Sequence, residues 1–154
     1  MRSRRITSAL LICLACAWAS VVLGGPGAQR NALKLEAHLI WGTSAEKSPN
    51  PDHKPVDQEI KDKLKGLPLK WTNYFEVTRR TIEVSPGESN EVQVSPKCKI
   101  VVRALNSSTV EVSLFGKGSL VFKQTQALPK GELLILGGQA PNSTSWLVAV
   151  KRIK

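Results

Sequence analysis

Apolar residues occupy every second position along much of this chain, and that period constrains the fold more than any other feature. From residue 33 to 41, leucine, alanine and tryptophan occupy the odd-numbered positions, and Lys34, Glu36 and His38 lie between them. A period of two places the apolar side chains on one face of a β-strand and the polar ones on the other. The same alternation returns between residues 98 and 114, on both sides of a turn. The pattern predicts half-buried strands that pair as hairpins.

About eight such segments, separated by turn-forming residues, predict a mainly β fold, either an antiparallel β-sandwich or a small barrel. Alternation identifies the faces of a strand but not whether a sheet closes on itself, so both architectures stay open. One short helix is expected over residues 57–65. Asp57 can cap it, and Ile60 and Leu64 lie one turn apart on one face. Because a helix this short is unstable alone, that face must dock on a sheet.

Side-chain parity predicts three further details. Apolar residues change from odd to even positions between Val77 and Ile82, so a bulge is expected near Arg79–Arg80. The run Leu133–Leu136 is apolar on both faces, which predicts a strand in the centre of a sheet. Trp146 matches the inward parity of the last strand and is expected to pack in the core.

The first residues have the pattern of an export signal. A basic head, Met1–Arg5, precedes Ile6–Leu23, a stretch without charge. Such a head stays on the cytoplasmic side while the apolar stretch enters the bilayer. We expect residues 1–28 to be a signal peptide, or residues 6–23 to remain as an uncleaved anchor. Either outcome places the single β-domain, residues 29–154, in the periplasm or outside the cell.

The exported part keeps a single cysteine, Cys98, so it cannot close an intrachain disulfide and must be stabilised by its apolar core. Without the three arginines of the signal, the excess of basic over acidic residues falls from ten to seven. Asn106 and Asn142 each begin an N-glycosylation pattern in an expected turn. Those two patterns matter only in a source that glycosylates its exports.

The sequence offers no clear catalytic arrangement, metal site or cofactor site. Nucleophilic catalysis needs a base beside a nucleophile, and the chain has two histidines, His38 and His53. His38 is expected on the polar face of a strand, in water. An enzyme would have to use His53 with Asp52 or Asp57 from the proline-rich loop. Spacings for zinc, an EF-hand or a phosphate-binding glycine loop are absent.

Positive charge is the surface feature with most functional content. Lys97, Lys99 and Arg103 share one face of a predicted strand, and Lys151 and Arg152 lie in the last one. Such residues can bind a polyanion, such as an anionic glycan or a lipid headgroup. Lysines on strands also discourage aggregation between sheets, which is the alternative interpretation. The absence of interleaved arginines and aromatic residues argues against nucleic acid.

These observations lead to one functional hypothesis and three alternatives. We expect a non-enzymatic exported domain that acts by surface contact, with another envelope or extracellular component as its partner. Membrane contact is expected only through an uncleaved segment 6–23. The alternatives are a small secreted enzyme that uses the His53 loop, a polyanion-binding module, and an assembly subunit that adds an edge strand to its partner.

Overall fold

A computed structural model describes residues 32–139 and 144–154. The predicted export signal lies outside the described residues, and so does most of the second glycosylation pattern, at Asn142. The described part contains nine strands and one helix. They are β1 Leu33–Thr43, β2 Lys54–Pro55, α1 Gln58–Lys65, β3 Asn73–Val84, β4 Ser89–Ser95, β5 Cys98–Ala104, β6 Thr109–Gly116, β7 Ser119–Ala127, β8 Leu133–Gln139 and β9 Ser145–Arg152.

The strands form two antiparallel sheets, which confirms the predicted mainly β fold with one short helix. Sheet A has the strand order β2-β3-β1-β9-β8, and sheet B has the order β4-β5-β6-β7. Because each sheet keeps two edge strands, the architecture is a β-sandwich rather than a closed barrel. β3 contacts β4, and only a short link joins β7 to β8. The edge strands β7 and β8 therefore lie on the same side of the sandwich.

The main core fills the space between the sheets and consists of the residues that the alternation placed inward. Leu35 of β1 and Val102 of β5 are both fully buried in it. Full burial of one aliphatic side chain contributes roughly 1.5–3 kcal/mol, so a core of this size stabilises the fold without a disulfide. Its buried members are Leu33, Leu35, Ala37, Leu39, Ile82, Val84, Val94, Ile100, Val102, Ala104, Val110, Val112, Leu114, Leu128, Leu134, Leu136, Val148 and Val150.

A second core forms where helix α1 docks on the outer face of sheet A. Ile60 and Leu64 are the buried helix residues, as their spacing predicted, and they pack in a cluster with Ile40 and Leu147. Both cores use only residues between Leu33 and Val150, so a chain that begins at residue 29 contains both. Asp57 occupies the N-cap but makes no side-chain capping bond, because its carboxylate binds Arg79 instead.

The register shift between β1 and β3 lies earlier than predicted. Leu39 pairs with Thr78 and Ile40 pairs with Glu76, so Val77 is the extra residue and the bulge precedes Arg79–Arg80. Because of this shift, both odd-numbered and even-numbered residues of β3 can face the interior.

Two predictions about sheet position are wrong. Leu133–Leu136 belongs to β8, which is an edge strand of sheet A and not a central one. It is apolar on both faces because sheet B covers one face and the helix layer covers the other. Trp146 is 44% exposed instead of buried, near the start of β9, where it pairs with Trp41. Within the described ranges, no helix has the length and apolarity needed to cross a bilayer.

Candidate functional site

The five basic residues singled out from the sequence lie in two separate places. Lys99 and Arg103 lie on β5 of sheet B and Lys97 lies in the turn before it, whereas Lys151 and Arg152 end β9 in sheet A. Lys151 forms an ion pair with Glu59 of α1, and the Arg152 side chain donates to the carbonyl of Leu128 at 3.3 Å. Those two cations therefore already have partners within the fold.

Arg103 also stands apart from the lysines of sheet B. It shares the outer face with Lys99 but lies farther along β5, in register with Glu111. Lys97, in contrast, lies in the turn between β4 and β5, next to Lys99. Only Lys97 and Lys99 of the five are brought together.

A third lysine, Lys117, joins them through the neighbouring turn between β6 and β7. The Lys117 amide donates to the carbonyl of Lys97 at 2.8 Å, which ties the two turns together at one end of sheet B. Lys117 and Gly118 both have positive φ, 49° and 82°. A two-residue hairpin turn of this kind needs positive φ at both positions, which glycine adopts freely and lysine does not.

The three lysines border a shallow surface pocket of about 330 Å³. The Lys99 ammonium lies 5.2 Å from the centroid of the Phe115 ring, within the range of a cation–π contact, and 3.0 Å from a carboxylate oxygen of Glu91. In residues 32–139 and 144–154, no carboxylate lies within ion-pair distance of Lys97 or Lys117. The pocket lining is Gln93, Pro96, Lys97, Lys99, Phe115, Lys117 and Gly118.

Three exposed apolar residues follow Ser119, the first residue of β7 after this turn. Leu120 is 55% exposed, Val121 56% and Phe122 41%. Leu120 pairs with Phe115 and Phe122 pairs with Leu114, while Val121 falls at the register shift between them. The basic pocket and the exposed apolar residues therefore belong to one end of sheet B. We call this surface the hairpin tip: Lys97, Lys99, Phe115, Lys117, Gly118, Leu120, Val121 and Phe122.

A buried ionic cluster lies on the opposite layer, around His38. The expectation that His38 is solvated is wrong, because only 1% of its surface is exposed. Its Nδ1 lies 2.7 Å from a Glu76 oxygen, and since a carboxylate only accepts, Nδ1 carries the proton. Nε2 is 3.6 Å from Glu36, beyond hydrogen-bond distance, and has no hydrogen-bond partner among the described residues. Burial follows because His38 lies on the face that helix α1 and its preceding loop cover.

Arg79 compensates the negative charge of this cluster. Its guanidinium lies 2.7 Å from Asp57, 3.0 Å from Glu76 and 4.0 Å from Glu36. Burial raises the pKa of Glu76, but the hydrogen bonds from Arg79 and His38 outweigh it and the net shift is downward. The hydrogen bond to Glu76 is also the main reason why the pKa of Arg79 is raised.

His38, Asp57 and Glu76 each have a nitrogen or oxygen atom of the kind that can bind a metal ion. These three atoms lie within 4.8 Å of one another. Arg79 already donates to both carboxylates of that set, which is the charge compensation that a cation would provide. The cluster connects β1, β3 and the residue before α1 through ion pairs and a hydrogen bond. Sequence reasoning missed it because the contact between His38 and Glu76 depends on the register of two strands and on the bulge at Val77.

In the His53 loop, the His53 side chain contacts Ser48 within a local turn. His53 Nδ1 lies 2.8 Å from the Ser48 hydroxyl oxygen, which also accepts from the Asn50 amide at 3.2 Å. The His53 ring meets Trp41 edge-on, with the centroids 6.0 Å apart. The carboxylate of Asp57 binds Arg79 and is not the partner of His53.

No protein-family model, curated protein or solved structure matches this chain.

Proposed function

We propose that this chain is an exported, non-enzymatic β-sandwich that acts by surface contact with a polyanionic partner, which it binds through Lys97, Lys99 and Lys117. The observation that carries the proposal is the convergence of these three lysines on one pocket. The export pattern of residues 1–28 supports a partner in the periplasm or outside the cell.

Like charges that border one pocket repel one another, and of the three lysines Glu91 pairs only with Lys99. Lys117 in addition adopts a left-handed backbone conformation, which costs about 1–2 kcal/mol for a residue with a Cβ atom. Strain of this kind concentrates at binding and catalytic sites. An anionic group in the pocket would relieve the repulsion between the lysines. It would also contact Lys117 where the strained turn places that residue.

The protective interpretation of the lysines fits this pocket poorly. Lysines that prevent aggregation act best on an exposed edge strand, because there they oppose pairing with another sheet. Lys99 lies on β5, an inner strand of sheet B, and Lys97 and Lys117 lie in turns. The edge strand β7 instead has exposed apolar residues at its second to fourth positions.

Retention of residues 29–154 on immobilised heparin tests the proposal. The variant Lys97→Gln, Lys99→Gln, Lys117→Asn removes the pocket lysines, and asparagine tolerates the left-handed turn. The control variant Lys61→Gln, Lys63→Gln, Lys65→Gln removes equal charge from helix α1, on the other layer.

We expect the pocket variant to elute at much lower salt than both the unsubstituted domain and the helix variant, since fewer cations contact the polymer. Equal elution of the two variants would mean that retention depends on net charge alone, and it would refute a localised site.

A further inference from the structure

We infer that the polyanionic partner is a lipid surface: the lysines of the hairpin tip bind anionic headgroups while Leu120, Val121 and Phe122 enter the membrane interface. The inference rests on the proposed function and deepens it. It also departs from the sequence-based expectation that only residues 6–23 contact a membrane.

The apolar residues of the tip form a cluster and not a scatter. Five large apolar side chains are markedly exposed in the described part of the chain, and three of them, Leu120, Val121 and Phe122, are consecutive. Single exposed apolar residues are ordinary on protein surfaces, whereas a contiguous group marks a contact site. A Cβ atom on Gly116 would come within 3.0 Å of Val121, so the bulged Val121 lies against the last residue of β6, beside the turn.

The two-sided arrangement of these residues favours a fluid apolar phase over a protein partner. Leu120 is paired with Phe115 and lies on the outer face of sheet B, whereas Phe122 is paired with the core residue Leu114 and lies on the inner face. Side chains that are directly opposite across a strand pair share a face. A partner that packs against one face of the hairpin would leave the apolar residue of the other face uncovered, whereas the interface of a bilayer can surround the whole tip.

The lysines of the hairpin tip indicate that the bilayer is anionic. Gln93, Lys99, Phe115 and Leu120 form one row across sheet B, so a cation and the apolar residues reach the same surface. Lys97 and Lys117 extend from the two turns at the end of that row. Basic residues beside exposed apolar side chains are typical of proteins that bind anionic membrane surfaces.

The backbone of β7 limits how deep the contact can be. β7 is the edge strand of sheet B, so part of its peptide groups have no partner strand. Hydrocarbon cannot satisfy such groups, and they must stay at the hydrated headgroup level. Only the side chains enter the interface, and the binding is peripheral and reversible.

Sedimentation of residues 29–154 with vesicles tests the inference, using phosphatidylcholine vesicles with and without phosphatidylglycerol. The apolar variant is Leu120→Ser, Val121→Thr, Phe122→Ser, and the control is Leu105→Ser, another exposed leucine, directly after β5. All four positions are exposed, so thermal unfolding should show that the variants fold.

We expect the unsubstituted domain and the Leu105 variant to bind only the anionic vesicles. The apolar variant should bind them roughly ten-fold or more weakly, because three partly inserted side chains are lost. The apolar variant should nevertheless keep its retention on heparin. The lysine variant should lose both the binding to anionic vesicles and the retention on heparin.

The outcomes separate the two proposals. If the apolar variant binds anionic vesicles as well as the unsubstituted domain, the lipid inference is wrong while retention on heparin still supports the basic pocket. If the lysine variant keeps its heparin retention, the proposed function itself fails. If sedimentation shows self-association that the apolar substitutions abolish without changing vesicle binding, β7 serves strand pairing and the lipid inference is again wrong.

Discussion

Replacing Glu76 with glutamine should destabilise the fold strongly near neutral pH and progressively less in acid. The Glu76 carboxylate accepts hydrogen bonds from buried His38 at 2.7 Å and from Arg79 at 3.0 Å. Its side chain is only 12% exposed, so water replaces these bonds poorly. A hydrogen bond to a charged group contributes about 1.5–3 kcal/mol, and the glutamine keeps one acceptor oxygen. We therefore expect Glu76→Gln to cost about 2–3 kcal/mol near neutral pH.

The pH dependence follows from the lowered pKa of Glu76. A carboxyl group whose pKa is lower in the folded state than in the unfolded state stabilises the fold above the unfolded-state value. That contribution is lost as the pH falls from the ordinary value of 4.5 through the lower folded-state value. The glutamine variant lacks this titration. Its free energy of unfolding should approach that of the unsubstituted domain as the pH falls through this range.

Urea unfolding of residues 29–154 over a series of pH values measures both effects. The matched control is Glu83→Gln, also on β3, which breaks the exposed ion pair with Lys34. An exposed pair contributes about 0–1 kcal/mol, so this control should change stability little at any pH. A loss for Glu76→Gln that equals the control, or that stays constant from neutral to acid pH, would refute the assigned role of the cluster.

Three further substitutions test the packing and the strained turn by urea unfolding. Leu64→Ala removes a fully buried helix residue and should cost about 2–5 kcal/mol, and a loss under 1 kcal/mol would mean that α1 does not dock as described. Gly137→Ala should cost about 1–3 kcal/mol, because a Cβ there would lie 2.6 Å from both Leu147 and the Trp146 carbonyl; a neutral substitution would contradict this close approach. Lys117→Asn should raise the free energy of unfolding by roughly 1 kcal/mol while it weakens retention on heparin. A destabilised variant would show that Lys117 is not strained.

The sequence predicted the class of the fold because its strongest signals are local. Alternation along β1 and along the β5–β6 hairpin depends only on neighbouring residues, and so does the spacing of Ile60 and Leu64. The errors concern arrangement in three dimensions. Leu133–Leu136 has the composition of a central strand, but burial on both faces also occurs at an edge when a helix layer covers one side. Local sequence patterns do not indicate the order in which strands lie within a sheet.

The candidate site was only partly predictable for the same reason. Parity placed Lys97 and Lys99 near each other, since they belong to one hairpin. Lys117 joins them through a hydrogen bond between two turns, and that contact depends on how β5 and β6 pair. Its one sequence signal is the dipeptide Lys117-Gly118 between two short strands, where asparagine is the usual first residue. The His38 cluster gave no comparable signal, because its partners lie on different elements.

Titration of ¹⁵N-labelled residues 29–154 with a heparin-derived oligosaccharide locates the polyanion site residue by residue, because each backbone amide reports separately. We expect the largest chemical-shift changes on the two linked turns and the strand ends beside them, at residues 95–99 and 115–120. Changes that centre on Lys151 and Arg152, or that spread evenly over all basic residues, would contradict a polyanion site at the end of sheet B.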